Sequence, residues 1–216
     1  MRIVMLGLPG AGKGTQARRL AEANAVPHVA TGDIFRQAMA DGSPLGQQVQ
    51  AVVSRGELVP DALTVAIIRE RLARPDAGGG FVLDGFPRTR PQAESLDALL
   101  DGGAALEHAV YLEVDVEAVV GRLAGRRVCP RCAATYHVET DPPGPGGTCL
   151  RCGATVEQRA DDRPEAQRRR VQAYQRDTAP LLPYYAAQAK LVRVVGTGAP
   201  DAVAARITAA LGGGAG

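Results

Sequence analysis

The chain carries twenty-three arginines and only two lysines, Lys13 and Lys190. Lys13 falls in the stretch Gly7-Leu8-Pro9-Gly10-Ala11-Gly12-Lys13-Gly14-Thr15. Glycines at this density let a backbone wrap an anion and turn its N–H groups inward. A compact ammonium in that loop can reach the β- and γ-phosphates of a nucleotide, which a planar guanidinium does less well. The general phosphate-loop pattern is met through Gly7, Gly12 and Lys13, but Gly14 stands where a hydroxyl is usual. The hydroxyl comes one residue later, at Thr15. The apolar run Ile3–Leu6 precedes the loop and a helical pattern, Gln16 to Ala23, follows it. A strand, a glycine turn and a helix N-terminus with its positive dipole end together make an anion site.

A second group is sulfur. Cys129-x2-Cys132 and Cys149-x2-Cys152 are sixteen residues apart, the spacing of a four-cysteine zinc site. Four thiolates fill a tetrahedral shell, so such a metal would be structural, stapling a segment too rich in Gly and Pro to build a core. Four reduced thiols or two disulfides are the alternatives.

Four further clusters carry charge. Asp84-Gly85-Phe86-Pro87-Arg88 follows the strand-like Phe81–Leu83, and Thr31-Gly32-Asp33 is followed by Arg36. Arg122-x3-Arg126-Arg127 puts two guanidinium groups at i and i+4, predicted to share one helix face. Arg159-Ala160-Asp161-Asp162 pairs a cation with two acids that can organise neighbouring arginines. Guanidinium forks match phosphate oxygens bidentately. A carboxylate at a strand end, Asp84, can orient water on Mg²⁺; a helix cap or an ion pair with Arg88 is the plainer role.

Elements must position these groups. Strand-like runs are Ile3–Leu6, Phe81–Leu83, Ala109–Val114 and Leu191–Val195, with a short extended piece near Pro27–Val29. Helical patterns cover about residues 13–24, 61–73, 89–101, 116–124, 163–177 and 201–211. Pro91 and Pro200 mark helix starts. The alternation predicts an α/β fold, a parallel sheet flanked by helices around a phosphate loop. Residues 30–59, with helical pieces Asp33–Ala40 and Leu45–Arg55, and residues 125–162, with the cysteines, interrupt the alternation as two insertions. The core is then 1–29, 60–124 and 163–216. The tail Gly212–Gly216 reads as disordered.

In this order and at these distances the motifs resemble the adenylate kinases, specifically the long bacterial type with a four-cysteine zinc-binding lid, from Met1 to about Leu211. The resemblance implies reversible phosphoryl transfer, ATP plus AMP giving two ADP, with Mg²⁺ and a structural Zn²⁺. It implies a P-loop core, an AMP-binding insertion at 30–59 and a lid at 125–162. Lys13, Asp84, Arg88, Arg126, Arg159 and Arg170 would be the catalytic group. ATP would be held by Gly10, Ala11, Gly12, Lys13, Gly14, Thr15, Arg122, Arg126, Thr135, Tyr136 and Gly198. AMP would meet Thr31, Arg36, Glu57, Leu58, Val59, Gly85, Phe86, Pro87, Arg88 and Gln92, with Arg159 and Arg170 bridging from across the cleft. Asp84 and Asp33 would hold Mg²⁺ through water, and Cys129, Cys132, Cys149 and Cys152 the zinc.

Some positions carry two readings. Gln92 can pair its amide with adenine, or be an exposed polar residue in a first helical turn. Thr31 is also a candidate helix N-cap. Tyr136 fits a contact to ATP or the core of the lid. Arg18, Arg69, Arg168 and Arg206 read as solvated surface cations. Val195-Gly196-Thr197-Gly198 departs from the family, which often has Asp before the glycine and Lys near position 198; donor-base preference is open there.

Composition narrows the classes. A net charge of +2 argues against a general nucleic-acid or membrane-surface binder. A zinc-ribbon nucleic-acid module would interleave aromatic and basic residues, and the chain holds eight aromatics and no Trp. A signalling GTPase would show an Asn-Lys-x-Asp-like motif, which is absent. A kinase for UMP, CMP or GMP is the nearer alternative. No apolar stretch approaches the ~18 residues that span a bilayer, and Met1-Arg2 leads directly into a strand. The expectation is a cytoplasmic monomer with ATP, AMP and ADP as partners.

Overall fold

The computed structural model describes residues 1–53, 58–101, 105–159, 162 and 164–212. The tail beyond Gly212 lies outside them, as do Glu57 and Asp161. Five parallel strands form the central sheet: β1 (Arg2–Leu6), β2 (His28–Ala30), β3 (Phe81–Asp84), β4 (His108–Glu113) and β7 (Leu191–Val195), in the order β2-β3-β1-β4-β7. Alternation within β1 shows why helices cover both faces. Ile3 and Met5 pack with Val82, Val110 and Leu112 under α1 (Lys13–Ala23), α6 (Val116–Gly125) and α9 (Pro200–Gly212). Val4 and Leu6 pack with Leu83 and Ala109 on the opposite face, under α4 (Asp61–Leu72), α5 (Arg90–Leu100) and α8 (Leu181–Ala187). Each fully buried Leu or Ile contributes about 1.5–3 kcal/mol, so a sheet buried on both faces is the main source of stability. Among the described residues no helix is long and apolar enough to cross a membrane.

The extended piece at Pro27–Val29 is the edge strand β2, one residue further along. Among the described residues the elements between β2 and α4 are two helices, α2 (Thr31–Ala40) and α3 (Pro44–Val53). Gly46 lets them touch: a Cβ there would stand 2.0 Å from the Ala38 carbonyl oxygen. The cysteine segment carries its own two-stranded antiparallel ribbon, β5 (Arg126–Val128) with β6 (Thr135–His137).

Three expectations change. Arg126 does not share a helix face with Arg122, because α6 ends at Gly125 and Arg126 opens β5 with φ −67° and ψ 137°. The helix predicted over 163–177 is α7 (Pro164–Ala173), and the chain continues as one wide turn, Tyr174–Thr178. The helix α8 after it was not expected; Pro183 falls in its first turn, where proline costs no hydrogen bond.

Candidate active site

The site forms at the carboxyl ends of β1, β2 and β3. Met5 and Ala30 flank Asp84 in register, which sets this carboxylate beside the phosphate loop. Gly12 caps α1 with φ 97°, and no acidic residue occupies the first turn of that helix, leaving its N–H groups to an anion. Gly14 has a steric reason: a Cβ there would stand 3.1 Å from Asp84 Oδ2, tighter than ordinary contact. The hydroxyl of the general motif is displaced to the exposed Thr15 because the carboxylate occupies its space.

Lys13 Nζ donates to the carbonyls of Gly7 at 2.7 Å and Leu8 at 2.9 Å. Burial pushes its ammonium down to about 8; Asp84 works against this, while the charges of Arg88, Arg170 and Arg126 push it further down. The charges of three arginines therefore act on one lysine; Arg88 also acts on Asp84, while Arg126 and Arg170 share the carboxylate of Asp162. Burial disfavours charge on Asp84, yet His28, Lys13 and Arg88 together hold it below the usual carboxylate range. His28 Nε2 lies 3.8 Å from Asp84 Oδ2, an ionic distance longer than a hydrogen bond.

The arginines are held by the fold. Arg88 follows the cis peptide Phe86-Pro87 and donates from Nε to the Gly85 carbonyl at 2.8 Å. Asp162, wholly buried, accepts from Arg126 Nε at 2.7 Å and has Arg170 Nη1 3.7 Å away. Its own N–H donates to the carbonyl of Arg159, which ties that half-buried residue to the same knot. Arg122 donates to Ala11 O at 3.4 Å and Gly196 O at 3.2 Å, spanning from the phosphate loop to the loop before α9. Arg36 pairs with Asp33 on α2, one turn away.

Thr31 is the first residue of α2, whose N-cap is Ala30; its hydroxyl donates to Gly85 O at 2.9 Å, so it joins α2 to the loop after β3 and is not the cap. Gln92 is 2% exposed, not a surface residue. Its amide accepts from the Arg88 N–H at 2.8 Å and donates to Asp61 Oδ1 at 2.7 Å, while Thr89 donates to Asp61 Oδ2 at 2.8 Å. Val59 is buried, and Leu58 half-buried beside it. Gly85, Phe86 and Pro87 form the turn that carries Arg88, with Phe86 in the core.

The four cysteine sulfurs lie within 4.8 Å of one another and none is disulfide-bonded. Cys129 and Cys152 are 3.4 Å apart, Cys132 and Cys149 3.5 Å. Sulfurs around one tetrahedral zinc would be about 3.8 Å apart, so the donor set and spacing fit that ion. Each pair sits on a matching turn: Ala133 N–H donates to Cys129 O and Gly153 N–H to Cys149 O, with positive φ at Ala133 and Gly153. Tyr136 belongs to the core of this segment, 7% exposed, with its hydroxyl on Cys149 Sγ and accepting from Leu150 N–H. That hydrogen bond, against the cost of burial, draws Cys149 down to about 6, toward thiolate. Thr135, its neighbour, is exposed.

Sequence reasoning passed over His28 and Asp61, and read Arg206 as a solvated surface cation. His28 and Asp61 meet their partners from more than twenty residues away, where no local pattern reports contact. Arg206 is half-buried and donates to the carbonyls of Val195 and Thr197.

The chain is also similar in sequence to known proteins. A model of the family described as adenylate kinase matches residues 5–190. The chain is 52% identical over 212 residues to an adenylate kinase of Salinispora tropica, covering 98% of each protein. It is 47% identical to one of Moorella thermoacetica, with 98% of both chains covered. To one of Anaeromyxobacter dehalogenans it is 48% identical, over 98% of this chain and all of the relative.

Proposed function

The chain belongs to the adenylate kinase family, and from that premise we propose that it moves the terminal phosphoryl group of ATP to AMP, giving two ADP, reversibly. The observation that carries this is the glycine loop with Lys13 at a bare helix N-terminus beside Asp84, together with Arg126 and Arg170 held by the buried Asp162 and Arg88 by the turn after β3. Phosphoryl transfer needs two phosphate groups held in line, water kept away and spread negative charge neutralised, with little covalent help. Four cations from four parts of the chain are suited to that.

In this reading Lys13 and the amides of Gly10, Ala11, Gly12, Gly14 and Thr15 hold the donor phosphates. Arg122, Thr135 and Gly198 meet the rest of ATP. Tyr136 acts from the lid core by packing the segment that presents Thr135. Thr31, Arg36, Leu58, Val59, Gly85 and Arg88 surround AMP, with Glu57 as a further contact. Gln92 acts on AMP through the Arg88 backbone it holds, unless its amide exchanges Asp61 for the base. Arg126, Arg159 and Arg170 cross the transferring group. Mg²⁺, carried in with ATP, supplies charge neutralisation; Asp84, and Asp33 once released from Arg36, would orient its water shell. Residues 30–59 act as the AMP-binding insertion and 125–162 as the lid, with the four cysteines holding a structural Zn²⁺. The enzyme works as a monomer in the cytoplasm, whose reducing conditions keep the thiols available to metal.

A panel of nucleoside monophosphates with ATP and Mg²⁺ tests the reading. ADP formation from AMP is expected to exceed that from UMP, CMP or GMP. Turnover of one of those three with none of AMP would replace this reading by another monophosphate kinase.

A further inference from the structure

The loop between β7 and α9 runs beside the phosphate loop, since one guanidinium, Arg122, reaches both Ala11 O and Gly196 O. The carbonyls of this loop can be followed one at a time. Val195 O and Thr197 O both accept from Arg206 Nη1, the second at 2.9 Å. Gly196 O is taken by Arg122, Ala199 O by the Val203 N–H at 3.1 Å, and Pro200 O by Gln16 Nε2 at 2.9 Å. Among the described residues none donates to Gly198 O. Gly198 itself has φ +104°, and a Cβ on it would stand 3.3 Å from Arg206 Nη2. The backbone conformation favours glycine there, and a Cβ would also press on the guanidinium.

We infer that Arg206 is a positioning residue for the donor base: it ties back the carbonyls on either side of Gly196 and leaves the Gly198 carbonyl as the loop's available acceptor. The inference rests on the reading of ATP as donor at this loop. A lone backbone acceptor matches the exocyclic amino group of adenine, a donor, and mismatches the oxygen that guanine carries at the same place. Selectivity would then come from a polar group left unpaired with the wrong base, where discrimination is largest. Arg206 touches neither base nor phosphate; it sets which carbonyl the base meets.

The test is Arg206→Met, which keeps the stem and removes the donors, assayed for KM of ATP, AMP and GTP, for kcat, and for Tm. The expected result is an ATP KM raised about tenfold, the scale of a lost charge-assisted hydrogen bond. AMP KM and kcat should stay within about twofold, and the preference for ATP over GTP should shrink. Arg206→Lys, which keeps a cation but replaces the guanidinium fork that spans two carbonyls, should raise the ATP KM in the same selective way but by less, and it decides the matter if the Met variant does not fold. Unchanged ATP KM in a folded variant, or ATP and AMP KM rising together, overturns the inference. Failure of the underlying reading shows separately, in unsubstituted protein that makes no ADP from ATP and AMP.

Discussion

Asp162→Asn isolates what one buried charge does in a cluster of cations. The side chain of Asp162 is 0% exposed, while Arg126 and Arg170 beside it keep 19% and 28% exposure. Asparagine preserves the shape and one acceptor oxygen but removes the charge. Losing a charge-assisted hydrogen bond costs about 1.5–3 kcal/mol, and breaking a buried ion pair up to about 3–5 kcal/mol. Solvent reaching the two arginines screens part of that. The expected loss is about 2–4 kcal/mol, and at about 2–4 °C per kcal/mol for a chain of this size Tm should fall by about 4–16 °C. Bound nucleotide phosphates would supply negative charge to the same arginines. Scanning calorimetry with and without a saturating two-nucleotide mimic should therefore show a smaller drop in the complex, together with a reduced kcat. An undiminished Tm in ligand-free protein, or the same drop in both states, would refute the argument that Asp162 stands in for the substrate's charge.

Two other outcomes follow from the site. Lys13 is held near 8 by burial and neighbouring cations, so above that pH the free protein carries it partly neutral, and phosphate binding restores the ammonium. ATP binding at pH about 8.5 should take up roughly 0.5–0.8 proton, vanishing below pH about 7, as calorimetry in buffers of different ionisation enthalpy would show; proton release, or no uptake, would refute it. Stripping metal from the four cysteines under reducing conditions should lower Tm by several degrees or more, reversed by Zn²⁺ and not by Mg²⁺, since burial of the segment depends on its staple. An unchanged Tm after verified metal removal would sink the structural-metal claim.

The parts of the fold legible in the sequence were those with local causes. A strand, a glycine turn and a helix start are written within the first twenty-three residues, and two Cys-x2-Cys pairs announce two matching turns. The strands of the sheet were readable for the same reason: runs such as Ile3–Leu6 are apolar on both faces. The misreadings have the opposite cause. Arg122 and Arg126 have helical spacing, but the chain leaves the helix between them, because pairing of β5 with β6 wins over one more helical turn. Helix α8 carries a proline at its N-cap, Pro180, and another in its first turn, Pro183, positions where proline is harmless although it would break a helix interior. Gln92 looks like an exposed first-turn residue and Thr31 like a helix N-cap until Asp61 and Gly85, distant in sequence, are brought against them.

Gly14 shows how such a distant contact can explain a local departure. In the sequence it is an exception to a phosphate-loop pattern, with its hydroxyl one residue late. In the fold it faces Asp84 Oδ2, which a Cβ would meet at 3.1 Å and push aside by a few tenths of an ångström. The exception and the carboxylate are therefore one feature: the loop gives up a side chain at 14 so that β3 can bring an acid next to Lys13. That acid sustains charge on a lysine that burial and three arginines would otherwise neutralise. The same logic reads Asp162 among Arg126 and Arg170, and together the two carboxylates keep the cations of the site assembled before any phosphate arrives.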